Sequence, residues 1–151
     1  MQLRTNLIVF ILLSTVCFRI QAQEKPVLKT PVLQSFWGYY KAGVHPVETV
    51  RTMIDTAIWV MDEQKQPYTV RSFRVNYFSN DQYEDETTGK MKTRRNLLSK
   101  EFRETNMLSD LWKQSIYESL KPKDEILIDL LSVKDKQGRI FYAPDIKISV
   151  Q

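Results

Sequence analysis

The stretch from Pro67 to Phe78 (PYTVRSFRVNYF) constrains the fold most, because aromatic and β-branched residues dominate it. Its apolar alternation changes parity once. The residues before the change are Tyr68 and Val70, and those after it are Phe73, Val75 and Tyr77. A one-residue shift turns side chains to the opposite face of a sheet, and a β-bulge at Arg71–Ser72 would restore one buried face. The stretch therefore predicts a long, bulged strand that ends at the polar residues Ser79–Asp81.

Residues 1–22 have the layout of a secretory signal peptide. Arg4 provides a basic start, Leu7–Phe18 an apolar run, and Ala22 a small residue before cleavage ahead of Gln23. The apolar run is shorter than the about 20 residues that a membrane-spanning helix needs. We therefore expect a cleaved leader and a product that is periplasmic or secreted and not embedded in the membrane.

The rest of the chain suits a linker at 23–31 and a single β-rich domain at 32–151. Cys17, the only cysteine, lies in the leader, so the exported domain has no disulfide and must be held together by its core. The leader carries Arg4 and Arg19 and no acidic residue, so its removal lowers the net charge from +4 to +2. That small charge, together with export, argues against a nucleic-acid partner.

Other segments give further strand predictions from apolar runs, alternation and turn residues. These strands are Val32–Tyr40, Ala57–Met61, Glu125–Val133, Arg139–Tyr142 and Ile146–Val150. Gly38 marks a bulge or a close backbone approach, Gly43–Pro46 a turn, and Gly138 the positive-φ position of a hairpin. Asn80–Thr93 is polar and predicts a solvated hairpin loop, with a short strand around Leu97 after it.

Two segments have helical periodicity. A short helix is predicted at 47–54, and an amphipathic helix at Met107–Leu120, capped by Thr105 or Asn106. The residues expected to be buried in or near these segments are Met107, Leu111, Trp112 and Trp59. The fold class is therefore mainly β (α+β): a β-sandwich-like domain with one packed amphipathic helix.

No motif for catalysis, a cofactor or a metal is visible, so we expect a protein that is not an enzyme and has no cofactor. His45, the sole histidine, adjoins Pro46 in the predicted turn and has no Ser or Cys partner in a recognisable motif. The acidic residues between Asp81 and Glu86 lack the spacing of a calcium loop. A solvated loop explains them better.

Two groups of residues are candidates for an interaction surface. One is the aromatic cluster Phe36, Trp37, Tyr39 and Tyr40, which either lies in the core or forms a platform for a partner or a sugar. The other is the pair Arg71 and Arg74, beside the predicted bulge. The basic run Lys90–Arg95 is interpreted as a solvated hairpin flank, with docking of an acidic partner as the alternative.

Three pieces of the chain resemble the C-terminal domain of the gliding-motility protein GldM, called PorM in type IX secretion systems. Residues 68–75 (YTVRSFRV) are similar to that domain's Y/F-x-V-x-S-F-x-V strand. Residues 120–124 (LKPKD) are similar to the turn between its helix and a strand. Residues 135–148 (DKQGRIFYAPDIKI) are similar to its final hairpin and strand.

The resemblance covers about Met53 to Gln151 and implies a β-rich domain for protein–protein contact in the periplasm, without catalytic residues. GldM proteins are longer, with a retained membrane helix and a cytoplasmic tip, so we expect one exported domain of that type standing alone. Its expected partner is a protein of the cell envelope. The alternative function is a periplasmic glycan- or peptide-binding module that uses Phe36, Trp37, Tyr39 and Tyr40, and an enzyme ranks third.

Overall fold

In residues 30–151, the part of the chain that the computed structural model describes, eight strands and two helices follow one another. The strands are β1 (Leu33–Trp37), β2 (Gly43–His45), β3 (Ile58–Asp62), β4 (Pro67–Glu84), β5 (Met91–Arg103), β6 (Glu125–Lys134), β7 (Ile140–Tyr142) and β8 (Ile146–Val150). The helices are α1 (Val47–Ile54) and α2 (Asp110–Ser119). The predicted leader and nearly all of the predicted linker lie outside the described residues.

All eight strands belong to one sheet with the order β1-β3-β4-β6-β8-β2, while β5 pairs with β4 and β7 pairs with β6. The pairs are antiparallel except for β2 with β8. The sheet curls, so that Ser35 Oγ on β1 donates a hydrogen bond of 2.7 Å to the carbonyl oxygen of Pro144 just before β8. With 52% of the described residues in strands and 15% in helices, the predicted mainly β, α+β class is confirmed. Two helices are present where the fold prediction counted one packed helix.

Strand β4 runs through the middle of this sheet and carries the predicted irregularity. Its register against β6 shifts between Val70 and Ser72 and again between Ser72 and Arg74, which confirms the bulge. The residues that it buries are Val70, Phe73, Val75, Asn76 and Tyr77. The strand does not end at Ser79–Asp81, as the sequence predicted, but continues to Glu84 because β5 pairs with it along that whole length.

The core lies against one face of the curled sheet. Strand β6 contributes Ile126, Ile128, Leu131 and Val133, and β8 contributes Ile146, Ile148 and Val150, all of them buried. Helix α1 adds Val50, Met53 and Ile54, and α2 adds Ile116. The alternation that predicted β8 as a half-buried strand is therefore confirmed.

Several local predictions were wrong. Gly43–His45 is not a turn but a strand that pairs with β8 in parallel. The N–H group of Gln151, just after β8, donates a hydrogen bond to the His45 carbonyl oxygen. Asn80–Thr93 is not a loop throughout: the β4–β5 ladder reaches Glu84 and Met91, so only residues 85–90 form the hairpin turn.

Three predicted core side chains lie at the surface, and one of them is Met107, which is 36% exposed just before α2. Leu111 is 71% exposed, because α2 begins only at Asp110, after the N-cap Ser109, and turns that residue outward. Trp59 is half exposed, because its neighbours Ile58 and Val60 occupy the buried face of β3.

The two glycines with predicted special roles have positive φ angles. Gly38 (φ +59°) follows β1, and a Cβ built there would lie 2.5 Å from Thr56 Oγ1, so this is a close approach. Gly138 (φ +86°) lies in the β6–β7 hairpin, where a Cβ would meet no atom within 4 Å. Both predictions are confirmed, for different reasons: the first position lacks space, and the second has space but a backbone that favours glycine.

Candidate interaction surface

Strand β5 has a neighbour on one side only. It pairs with β4 in continuous register from Ser72 opposite Arg103 to Glu84 opposite Met91, and no other strand of the described chain pairs with it. Its outer backbone edge, which we call the β5 edge (Met91–Arg103), is therefore open. Open strand edges are templates for pairing with another chain.

The ladder's hydrogen bonds show which backbone groups this edge presents. Two bonds flank the ladder: Glu104 N–H donates to the Arg71 carbonyl at 2.6 Å, and Asp85 N–H donates to the Lys90 carbonyl at 2.9 Å. Antiparallel pairs alternate between bonded and non-bonded, so the even-numbered residues of β5 bond to β4. The residues whose N–H and C=O groups point outward are Met91, Thr93, Arg95, Leu97, Ser99, Glu101 and Arg103.

The same parity divides the side chains of β5 between the two faces of the sheet. Phe102 lies on the core face, 6% exposed and stacked on Phe73 with ring centroids 5.1 Å apart. Leu98, on that same face, and Leu97, on the other, are 48% and 54% exposed. The strand is thus attached to the core at its C-terminal end and leaves large apolar side chains in solvent at its middle.

Strands β4 and β5 form a long hairpin, and the half of this hairpin next to its turn projects beyond the rest of the sheet. Strand β6 pairs with β4 only as far as Phe78 opposite Glu125, whereas the β4–β5 ladder continues to Glu84. Two further exposed apolar side chains, Tyr83 and Met91, lie on this half.

A buried carboxylate fixes the point where the hairpin leaves the sheet. Asp124 is fully buried, and its carboxylate accepts hydrogen bonds from Tyr77 Oη at 2.7 Å and from the N–H groups of Asn80 and Lys121 at 3.0 Å. Burial and the bond to Asp124 raise the pKa of the Tyr77 phenol far above its usual range. Asp124 lies in the LKPKD turn, where sequence reasoning assigned it no role.

An ion pair on the surface adds to this attachment. Lys121 Nζ lies 2.5 Å from Asp81 Oδ1, and the Asn96 side chain also donates to Asp81. The hydrogen bond that Lys121 donates to Asp81 lowers the pKa of Asp81 below its ordinary value and raises the pKa of Lys121. The start of the projecting half is therefore held to the turn before β6 through Asp81 of β4, to which Asn96 of β5 also bonds.

The predicted arginine pair at the bulge is engaged within the sheet. Arg74 binds Asp129 of β6 through two hydrogen bonds of 2.8 Å, and Arg71 Nη2 lies 2.5 Å from Glu104 Oε1. The bond to Asp129 raises the pKa of Arg74. Asn76 also donates to Asp129 and accepts a 2.7 Å bond from Ser99 Oγ, which links β5, β4 and β6 across the outer face.

The predicted aromatic cluster does not form a common platform. Trp37 is fully buried, while Tyr39, in the turn after β1, is 94% exposed. Phe36 is partly buried, with Lys41 Nζ 5.2 Å from its ring centroid, and Tyr40 packs its ring against His45. Phe36 lies opposite Trp59 of β3. The four side chains thus divide between core, turn and sheet face.

The remaining chemical candidates have structural partners. His45 Nε2 lies 3.1 Å from the Lys41 carbonyl oxygen, and Asp85 caps the hairpin turn by accepting from the N–H groups of Thr87 and Thr88. Within residues 30–151, no group of three or more His, Cys, Asp or Glu side chains is placed to hold a metal ion.

A groove of about 490 Å³ lies between β3, the start of β4 and the segment after β5. Its charged residues are Glu104 and Lys136, which contact Arg71 and Gln66 respectively. Tyr68 also lines it, and burial raises the pKa of this phenol. The two charged side chains of this groove are thus bonded to their own neighbours.

Comparison with known proteins adds no family to this description: no protein-family model matches the chain, and no curated protein matches it. Among the described helices, none has the length and apolar character needed to cross a membrane.

Two residues of this surface, Leu97 and Leu98, were assigned only to a short strand, and Lys100 was not singled out. A signal was nevertheless present in the sequence. Acidic residues precede Gly89 and basic residues follow it, and in the structure Asp81 lies opposite Arg94. Opposite charges placed symmetrically about a turn are typical of cross-strand pairs in a long hairpin.

Proposed function

We propose that the protein is a non-catalytic protein–protein interaction module, exported to the periplasm or secreted, similar in role to the C-terminal domain of GldM. Its partner would be a protein of the cell envelope, in gliding motility, type IX secretion or a related envelope process. The resemblance of residues 68–75, 120–124 and 135–148 to that domain supports this role, as does the secretory layout of the leader.

The observation that carries the proposal is the β5 edge. Along Met91–Arg103, backbone groups point outward from one side of the strand, and Leu97 and Leu98 remain about half exposed. Natural sheets usually shorten, bend or cover such an edge. A long edge in regular register, with apolar side chains at its centre, is what a protein partner would use.

Site-specific photocrosslinking in cells tests this function. A benzoylphenylalanine at Leu97 is expected to capture a discrete envelope protein, because that side chain lies at the centre of the proposed surface. The same probe at Tyr142, which is 77% exposed on β7, is the matched control and is expected to capture nothing. The proposal fails if neither Leu97 nor Leu98 gives a crosslink while the purified protein is retained on a glycan array.

A further inference from the structure

We propose that the β5 edge binds an extended, acidic segment of the partner protein, which adds to the sheet as a further strand beside β5. This inference rests on the proposed function and names how the partner is recognised. Strand addition of this kind takes affinity from backbone hydrogen bonds and specificity from alternate side chains.

The backbone provides the first argument. The outward N–H and C=O groups of β5 belong to its odd-numbered residues, and no hydrogen bond from any described residue reaches them. The register with β4 contains no shift from Ser72 to Glu84, so the edge lacks the bulges that often prevent pairing. An incoming strand therefore meets a regular ladder.

Charge provides the second argument. The strand carries five basic residues and one acidic residue, Glu101; the basic ones are Lys92, Arg94, Arg95, Lys100 and Arg103. Three of them have carboxylate partners: Lys92 pairs with Asp85, Arg95 with Glu125 and Arg103 with Glu101.

Arg94 and Lys100 are the two basic side chains of β5 for which the described chain provides no carboxylate within 4 Å. Arg94 lies opposite Asp81, but that carboxylate binds Lys121 and Asn96 instead. Lys100 lies opposite the buried Val75. Both have the parity of Phe102 and so project on the core side of the sheet, with the half-exposed Leu98 between them.

These positions define the segment that fits. A strand laid along β5 places every second side chain on the face that carries Arg94, Leu98 and Lys100. The fitting segment carries an acidic residue opposite Arg94, an apolar residue opposite Leu98 and an acidic residue opposite Lys100.

The same charges disfavour a second copy of this chain as the occupant. Antiparallel pairing of two β5 edges would bring two predominantly basic strands together, and like charges on neighbouring strands are destabilising. A charged side chain such as Lys100, pointing toward the core side of an edge strand, is also a known device against self-pairing. The β5 edge thus rejects itself and accepts an acidic strand.

Amide-resolved NMR titration with a defined probe tests the inference. The probe is a synthetic peptide of about ten residues with Glu at the two positions that face Arg94 and Lys100, Val at the position that faces Leu98, and Thr elsewhere. Its matched control has Lys in place of each Glu. The Glu peptide is expected to shift amide resonances along β5, and to shift those of the outward-facing odd-numbered residues most. The Lys peptide is expected to leave the spectrum unchanged.

Two pairs of variants separate backbone pairing from charge attraction. Leu97→Pro removes an outward N–H without breaking the β4–β5 ladder and is expected to abolish peptide binding, whereas Leu97→Thr keeps the N–H and retains it. The double variant Arg94→Gln with Lys100→Gln is expected to weaken binding by about tenfold. A thermal melt confirms that each variant is folded.

Three results would overturn the inference. They are equal binding of the Glu and Lys peptides, unchanged binding by Leu97→Pro, and no binding of the Glu peptide to the wild-type protein. If Leu97 still crosslinks to an envelope protein in cells, the proposed function stands and only the strand-addition mode is rejected.

Discussion

Strands β5 and β6 flank the same strand, β4, and are used in opposite ways. Strand β6 has neighbours on both sides and buries Ile126, Ile128, Leu131 and Val133. Strand β5 has a neighbour on one side and buries only Phe102. The difference is visible at Val75, which lies between Ile128 of β6 and Lys100 of β5. Strand β6, on one side of β4, thus contributes to the core. Strand β5, on the other side, pairs with β4 but has mostly exposed side chains.

Hydrogen exchange should show the largest difference between the two strands. The amides of Ile126–Ile128 lie between β4 and β8, so they are expected to exchange only on global unfolding. The Leu97 amide points outward and needs no unfolding event to exchange. Protection factors are therefore expected to differ by about three orders of magnitude or more, measured by amide exchange under native conditions.

The control for this prediction lies within β5 itself. The amide of Leu98 bonds to β4 and is expected to be more protected than those of its neighbours Leu97 and Ser99. Equally high protection of all three amides would show that the outer edge of β5 is covered.

Substitution on the two sides of Val75 should show the next largest effect. Ile128→Ala removes fully buried methyl groups and is expected to lower the free energy of unfolding by about 3 kcal/mol. Lys100→Ala changes an exposed side chain and is expected to stay within about 0.5 kcal/mol of the wild type. Urea denaturation of both variants measures these changes. Similar losses of unfolding free energy would contradict the conclusion that β6 contributes to the core and β5 does not.

The attachment of the hairpin gives a smaller effect. Tyr77→Phe removes the buried hydrogen bond to Asp124 but keeps the ring, so it is expected to cost about 1 kcal/mol of unfolding free energy. Tyr83→Phe, on the projecting half of β4 with its side chain in solvent, is the matched control and is expected to change nothing measurable. A larger loss for Tyr83→Phe would show that the projecting half packs against something.

The two strands also differ in how far the sequence predicted them. Strands β6 and β8 were predicted because burial selects apolar side chains, which leave a run or an alternation in the sequence. Strand β5 was predicted only as a short strand around Leu97 after a hairpin loop. An exposed edge imposes no such pattern, and its strand form depends on pairing with β4. Residue type also misled the prediction for Trp59. Tryptophan favours burial, but Ile58 and Val60 occupy the buried face of β3, so the Trp59 side chain lies on the exposed face.

The candidate surface could be predicted only in part for the same reason. Arg74 was singled out correctly as a side chain near the bulge, but its engagement with Asp129 depends on the register between β4 and β6. The aromatic cluster was divided between core and solvent by the turn at Gly38. Pairing between distant segments, which local sequence does not reveal, decided both outcomes.

The smallest expected effect concerns the ion pair at the start of the projecting half. The hydrogen bond from Lys121 lowers the pKa of Asp81 in the folded protein. The stabilisation by this ion pair is therefore fully present above the pKa of Asp81 in the unfolded chain, about 3.9. It is lost as the pH falls through the lowered folded value, because the protonated carboxyl no longer pairs with Lys121. Asp81→Asn is therefore expected to reduce stability above about pH 5, and the difference from the wild type should shrink under more acidic conditions. Urea denaturation across this range measures it, and Lys121→Met should remove the same pH-dependent part; a difference that persists at the lowest pH would assign the effect to Asn96 instead.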